Sequence, residues 1–451
     1  MERGDFGSGK VSRLIMYQAI PLTIAQFVQV VYNIVDRIYL GHMPGEAESI
    51  ALTGVGITFP IISLIAAFTN LFATGGAPLC SMARGSGDEE RAKRIEITTL
   101  FLQIVTGIVC IIILFVVKRP LLFILGASAN TYGYANDYLS IYLAGTVFVT
   151  AGTGMTGFIN LQGFPQKGME YMMAGAIINM ILDPIFIFGL GLGVKGAALA
   201  SVISQFISAF LVLRFLFGKK ALLKIHPEEL LKPDISLVKE IVVLGFAGFI
   251  MSATNCAVQA VCNMTLAGYG REMGDLYIAV MTIINSVREM IGLPINGITS
   301  GAQPVISYNY GASENGRVKQ GIRFMSLAGV LYTALMWIMI MLFPHGFLTI
   351  FSSDERVIGT GKLPLVIYFA AFIFMSLQFA GQSTFVALGK AKQAIFFSLL
   401  RKVFIVIPLT LLLPRFPGLG VMGVFLAEPI SNFIGGLGSF GTMYFTVYKK
   451  L

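Results

Sequence analysis

The chain has 451 residues, of which 56% are hydrophobic and only 12% charged. A soluble domain carries about a quarter charged residues, so this composition excludes an ordinary soluble fold and makes lipid the solvent for much of the surface. The formal net charge of +9 comes from Lys and Arg gathered in short loops, and is not read as nucleic-acid binding.

Twelve apolar runs follow one another. A bilayer needs roughly 20 residues of helix. The first run, near 13–40, begins after Lys10 and Arg13. It is too long for a signal-peptide core and no small-residue cleavage site follows, so it is expected to stay in the mature chain. The others lie near 50–80, 96–117, 136–158, 169–188, 193–216, 239–266, 277–308, 322–343, 363–387, 395–413 and 420–447. No strand-like alternation repeats, which argues against a β-barrel and leaves helices as the spanning element.

With twelve spans both termini share a side, and the segments on that side hold 21 of the 32 basic residues. The opposite loops hold 7 and the spans 4 (Arg37, Arg288, Arg401 and Lys402). The positive-inside rule therefore places both termini in the cytoplasm. Cys80, Cys110, Cys256 and Cys262 sit inside apolar runs without metal-type spacing and read as small buried hydrophobes. His42, His226 and His345 are too scattered for a metal cluster.

An internal repeat organises the chain. Pro78 through Gly85, then Arg91 and Lys93, share the pattern P-x6-G-x5-R-x-K with Pro304 through Gly311, Arg317 and Lys319, at an offset of 226 (304 − 78). Gly163 maps onto Gly389 at the same shift, while Gly193 and Gly41 map onto Gly420 and Gly268 at 227. Six helices per copy is an even number, so both copies point the same way. The expected fold is an all-α integral membrane protein with 12 transmembrane helices in two parallel-repeat six-helix lobes around a central cavity. The expected boundaries are 1–218 for the N-lobe, 219–238 for a cytoplasmic linker and 239–451 for the C-lobe.

Four carboxylates fall inside apolar runs, where a charge costs roughly 2.5–3.5 kcal/mol on insertion scales: Asp36, Asp183, Glu289 and Glu428. Asn179 and Asp183 are four apart and share a helix face. Ser201 in the next run can add an oxygen. Two carboxylates in low dielectric demand a small cation, and either Na⁺ held by oxygens or a proton satisfies them. The competing readings are an Asp36–Arg37 ion pair or a headgroup position, and an Asp183 cap beside a Pro184 kink. At a shift of 227, Asp36 falls on Asn263 and Asp183 on Thr410, so the ion site is expected in the first half only. Glu289 beside Arg288 and Glu428 opposite Arg401 read as salt bridges. Glu289, next to Met290, is also a candidate for contact with organic cations. Pro21 interrupts the first run and is the candidate hinge, with a static kink as the alternative. Gly152-Thr-Gly154-Met-Thr-Gly157 matches a dinucleotide fingerprint only in letters; within an apolar run it reads as helix packing.

The arrangement resembles the multidrug and toxic compound extrusion (MATE) family, in its MepA-like bacterial branch. The residues that carry the resemblance are Tyr32 through Asp36 with Gly41, Asn179 through Pro184, Gly193 through Ser201, and Gly301 through Gly311. The resemblance implies two six-helix lobes that export organic, often cationic compounds in exchange for Na⁺ or H⁺, without a cofactor and as a monomer in the bacterial inner membrane. It implies a coupling-cation site at Asp36, Asn179, Asp183 and Ser201. It places Gln29 and Tyr32 on the first helix, and Tyr142 and Asn160 on the fourth, against the substrate. The other branch uses a seventh-helix glutamate, where this chain has Asn255.

The expected partners are small organic substrates and membrane lipid. The rival reading is a lipid-linked oligosaccharide flippase of related two-lobe architecture, which calls for several cavity arginines. The second-to-third-helix loop signature of a major-facilitator carrier is not met by Gly85 through Arg94. No nucleophile with its base, metal motif or clustered carboxylates supports an enzyme.

Overall fold

The computed structural model describes residues 5–42 and 48–451; Arg3, and the side chains of Arg37, Cys256 and Arg271, lie outside the described residues. The Asp36–Arg37 reading therefore falls outside them.

Seven helices precede the linker: α1 Val11–Leu40, α2 Glu48–Gly85, α3 Glu89–Ile124, α4 Ala129–Ala144, α5 Thr146–Leu161, α6 Pro165–Pro184 and α7 Val194–Leu216. Nine follow it: α8 Ile235–Gly270, α9 Gly274–Gly311, α10 Asn315–Leu342, α11 Pro344–Thr349, α12 Glu355–Phe369, α13 Phe372–Ala387, α14 Ala391–Leu399, α15 Ile407–Leu412 and α16 Met422–Met443. Among the described residues no strand is present. Nine stretches are long and apolar enough to cross a membrane alone, α14 and α15 forming one of them across the π-helical Leu400–Val406. α4 with α5, bent by 56°, and α12 with α13, bent by 45°, make two more. α16, with 22 residues, is less apolar than these, but its length of about 33 Å of helix suffices for the twelfth. The fold is thus an all-α membrane protein of twelve spans.

The helices outrun the apolar segments because their ends are made for water. Asp88 caps α3, accepting from the Arg91 N–H at 2.9 Å, and Glu89 and Glu90 complement the helix dipole. Ser128 and Thr131 form a reciprocal capping box on α4. Along the spans, Ile112, Val116, Leu331 and Phe404 are exposed, as lipid-facing residues can be. The G-x-G-x-x-G stretch lies within α5. A Cβ on Gly152 would meet Ala209 of α7 at 3.0 Å, and one on Gly154 would meet Gln103 of α3 at 2.2 Å. It is a close-packing surface.

The repeat reaches the backbone. Left-handed residues recur at shifts of 226 or 227: Gly87 with Ser313, Gly163 with Gly389, Gly191 with Gly418 and Gly193 with Gly420. Ser313, at φ 59°, is the only non-glycine with positive φ among the described residues. The bend at Gly145 recurs at Ala371, again at a shift of 226.

Contacts divide the chain into two units: 1–8 with 24–245, and 9–23 with 246–451. The boundaries expected from sequence followed chain order, whereas the contact units exchange two helix beginnings. In the first unit α8 starts against α2, where a Cβ on Gly75 would fall 2.0 Å from the Ile241 oxygen and one on Gly245 would fall 1.6 Å from the Leu71 oxygen. In the second unit α1 starts against α9, where a Cβ on Gly301 would meet the Ala19 nitrogen at 2.7 Å. These contacts are repeat-related, since Gly75 maps onto Gly301 and Ala19 onto Gly245 at 226.

The linker belongs to the first unit. The Leu222 and Leu223 N–H groups donate to Gln162 Oε1 at 2.8 and 3.2 Å, and the Asp234 N–H donates to Thr98 Oγ1 at 3.0 Å. Lys93 pairs with Glu229 at 2.6 Å. The hydroxyl and N–H of Ser236 hold the Asp234 carboxyl below the usual carboxylate range.

Because Gly75 and Gly245 face backbone, which cannot swing aside, Gly245→Val is expected to cost about 1–3 kcal/mol or more. Gly56→Ala, with nothing within 4 Å of the new Cβ, should cost nothing and gain up to about 1 kcal/mol from helix propensity. Thermal melts of the purified, detergent-solubilised variants check the contrast.

Candidate functional site

In the first unit a cavity of about 440 Å³ is walled by α1, α2, α4, α5, α6 and α7. Gln29, Tyr32, Asn33 and Asp36 of α1 line it, spaced so that one helix face presents all four. Tyr138 and Tyr142 of α4 stack with ring centroids 6.2 Å apart. Asn179 of α6 and Ser204, Gln205 and Ser208 of α7 add polar groups to an otherwise aromatic and aliphatic wall.

Asp36, Asn179 and Asp183 are 6%, 1% and 0% exposed. The Asn179 amide lies 3.5 Å from Asp183 Oδ1 and 3.4 Å from Ser201 Oγ. With the amide turned over, its nitrogen donates to Asp183 Oδ2 at 2.8 Å and its oxygen accepts from the Ser201 N–H at 3.2 Å. The second arrangement has the better hydrogen-bond geometry. Asp36 is close enough for its charge to act on Asp183. The structure thus brings Asn179, Asp183 and Ser201 together, with Asp36 on the cavity wall beside them. Two carboxylates, an amide and a hydroxyl are oxygen donors suited to a hard cation or a shared proton.

Gln29, Tyr32 and Tyr142 also meet at this cavity. Asn160 does not line it: a Cβ on Gly168 would fall 2.4 Å from its Oδ1, so the amide is held against α6. Eighteen residues separate Tyr142 from Asn160, about 27 Å of helix, too far for both to line one cavity of this size. Pro21 lies inside an uninterrupted α1, two residues before the boundary between the contact units at Thr23.

Glu289 is exposed and Met290 packs partly buried on the core of the second unit. That unit has its own cavity of about 170 Å³. Here Glu428, 4% exposed, meets three cations. Arg401 donates to it directly and to Gln378 Oε1 at 2.9 Å. Lys402 Nζ lies 3.6 Å away and Arg288 Nη1 3.8 Å. The Glu428–Arg401 pair matches the sequence expectation. The Glu289–Arg288 pair does not form among the described residues, because neighbours on a helix diverge and Arg288 turns toward Glu428. The residue facing Thr410 is Cys262, with Sγ 3.9 Å from Oγ1, and not Asn263; this part of the repeat runs at 226.

Sequence reasoning missed Gln205, which lines the cavity beside Tyr142, and Glu96, fully buried with Oε1 accepting from Gln162 at 3.1 Å. Gln205 lies four residues after Ser201, a same-face spacing that signalled it. Glu96 stands at the first residue of an apolar run, where it reads as a helix end.

The model of the MatE family matches residues 21–185 and again 249–412. The chain belongs to the MatE family. The second match starts at a shift of 228 (249 − 21) and ends at one of 227 (412 − 185), so the family pattern occurs once per repeat. Among curated relatives, the chain is 26% identical to the multidrug export protein MepA of Staphylococcus saprophyticus over 427 residues, 94% of this chain and 92% of the relative. It is 26% identical over 431 residues to the MepA of Staphylococcus haemolyticus, 95% and 93% of the two chains. It shares the fold of a multidrug resistance MATE transporter of the MOP superfamily described in an outward-facing conformation, with TM-score 0.91 and 22% identity over 100% of this chain and 99% of the other. Membership of MatE makes the chain a multi-pass membrane transporter and not an enzyme.

The two charged clusters predict opposite responses to neutralisation. Asp183→Asn removes a buried charge and keeps a polar partner for Asn179, so at alkaline pH without Na⁺ it should melt at or above wild type. Glu428→Gln strands Arg401 and Lys402 and should cost about 3–5 kcal/mol. Parallel melts of both purified variants read the two signs.

Proposed function

We propose that this MatE transporter exports organic, often cationic compounds across the bacterial cytoplasmic membrane in exchange for Na⁺ or H⁺ bound in its N-terminal half. The observation that carries the reading is the first-unit cavity, whose aromatic and amide wall includes Asp36 and abuts the Asn179–Asp183–Ser201 cluster. A flat aromatic cation suits stacked Tyr138 and Tyr142, and a carboxylate on the wall supplies the countercharge. The MepA relatives, whose names describe multidrug export, support the substrate class.

In this reading Asp36, Asn179, Asp183 and Ser201 hold the coupling cation, while Gln29, Tyr32 and Tyr142 contact the substrate. Glu289 and Met290 are the other proposed substrate residues, with Glu289 the group to meet a cationic part of it; Asn160, which is off the cavity wall, is not among them. Both termini face the cytoplasm, the protein works as a monomer in lipid without a cofactor, and the lobes 1–218 and 239–451 alternate access around the linker 219–238. Pro21 as hinge is supported by the boundary between contact units at Thr23. Coupling is energetic: cation and drug each stabilise a different conformation, so one displaces the other. Exchange of one monovalent ion for one monovalent drug moves no net charge, so the membrane potential, roughly 2.3 kcal/mol per charge per 100 mV, drives export only if more than one coupling ion moves.

Ethidium efflux in everted vesicles tests this. Asp36→Asn and Asp183→Asn should each lose at least about tenfold in rate, the mark of a missing electrostatic partner worth about 1.4 kcal/mol or more, and wild-type efflux should follow an imposed Na⁺ or H⁺ gradient. Full efflux by both variants contradicts the N-terminal cation site.

A further inference from the structure

The cavities of the two units are one site built twice. At a shift of 226, Gln29, Asn33, Asp36, Ile62, Tyr142 and Ala176 fall on Asn255, Gln259, Cys262, Arg288, Tyr368 and Lys402. The first six all line the first cavity and the second six all line the second. The same register continues at 227, where Asp183 falls on Thr410 and Ser201 on Glu428. The frame is kept and the charge is inverted. Both aspartates of the first site are lost, and a guanidinium and an ammonium stand where the first site has an isoleucine and an alanine.

We propose that the cavity of the C-terminal half binds a monovalent anion, either a small inorganic ion or the carboxylate of an organic solute. Three cations share one buried carboxylate. Arg401 takes the direct hydrogen bond to Glu428. Lys402, 6% exposed, and Arg288 reach it only at 3.6 and 3.8 Å, beyond hydrogen-bond distance. Among the described residues neither side chain donates a hydrogen bond; the amides of Asn255, Gln259 and Asn285 share the wall, the first two exposed and the third partly buried. Glu289 lines this cavity too but is exposed, so solvent screens its charge.

An ammonium without hydrogen-bond partners deep in a membrane protein is costly. An anion seated among these donors supplies the charge and the acceptors together. The volume of about 170 Å³ is that of about six waters, enough for chloride or acetate. The aspartate on the wall of the first cavity has no acidic counterpart at Cys262 in this one. This assignment stands on the second unit alone and does not depend on the cation reading of the first.

The test is the melting of the purified full-length protein in detergent at fixed pH, sodium and ionic strength. The reference anion is naphthalene-1,5-disulfonate, a bulky divalent anion that carries no carboxylate. Chloride or acetate in its place should raise Tm saturably by about 2–4 °C. A rise with chloride identifies the inorganic source, and a rise with acetate alone identifies the carboxylate. Lys402→Met should still melt cooperatively while losing the rise. If that variant does not fold, Arg288→Gln, which alters the more exposed cation, serves in its place. Identical melting in all three anions overturns the site, as does an undiminished rise in a folded Lys402→Met or Arg288→Gln variant.

Discussion

Hydrocarbon offers no hydrogen-bond partner, and the molecule is organised around that deficit. Backbone groups meet it by closing helices, and among the described residues no strand is present. Side chains meet it by clustering. Asn179 lies between Asp183 and Ser201, and Glu428 is surrounded by Arg288, Arg401 and Lys402. In these two clusters each charge is met by a neighbour or left for a ligand to meet. That distinction separates scaffold from site. Arg401 is hydrogen-bonded by Gln378 and Glu428, whereas Lys402 meets Glu428 only at ion-pair distance.

Duplication explains how one scaffold carries two such sites. The repeat preserves what geometry requires: left-handed residues at 163 and 389, bends at 145 and 371, and close helix contacts at Gly75 and Gly301. It leaves free the side chains that point into the cavities. A site can change the sign of its charge without disturbing the helices that frame it, because the framing contacts are made by glycines and backbone elsewhere on the same helices. Tyr142 and Tyr368 show what is shared and Asp36 and Cys262 what has diverged.

Much of this was legible in the residues. Hydropathy alone gave the spans, because lipid admits little else. The Pro78 and Pro304 motifs gave the repeat, and a carboxylate inside an apolar run marks itself, as Asp36 and Asp183 do. What stayed hidden depends on which neighbour a side chain meets. Ser313 looks like any loop serine, although it takes φ 59° where the first half has Gly87. Arg288 stands next to Glu289 in sequence but turns to Glu428, far along the chain on α16. Asn263 and Cys262 differ by one position, and only packing decides which faces Thr410. Gly75 and Gly245 announce close contact without naming the partner. Asn160 shares its span with Tyr142, and the length of that span puts it beyond the cavity wall.

The exchanged helix beginnings bear on how the protein is made. Residues 11–23 open α1 and are among the first to leave the ribosome, yet their packing partners Gly297 and Gly301 lie on α9. Ala19 must wait for Gly301, 282 residues later, which at roughly 5–20 residues per second is about 14–56 s of synthesis. During that interval the start of the first helix sits in lipid as an unmatched surface. The opening turns of α1 belong with residues made much later, so the first helix completes its packing only once α9 has been synthesised.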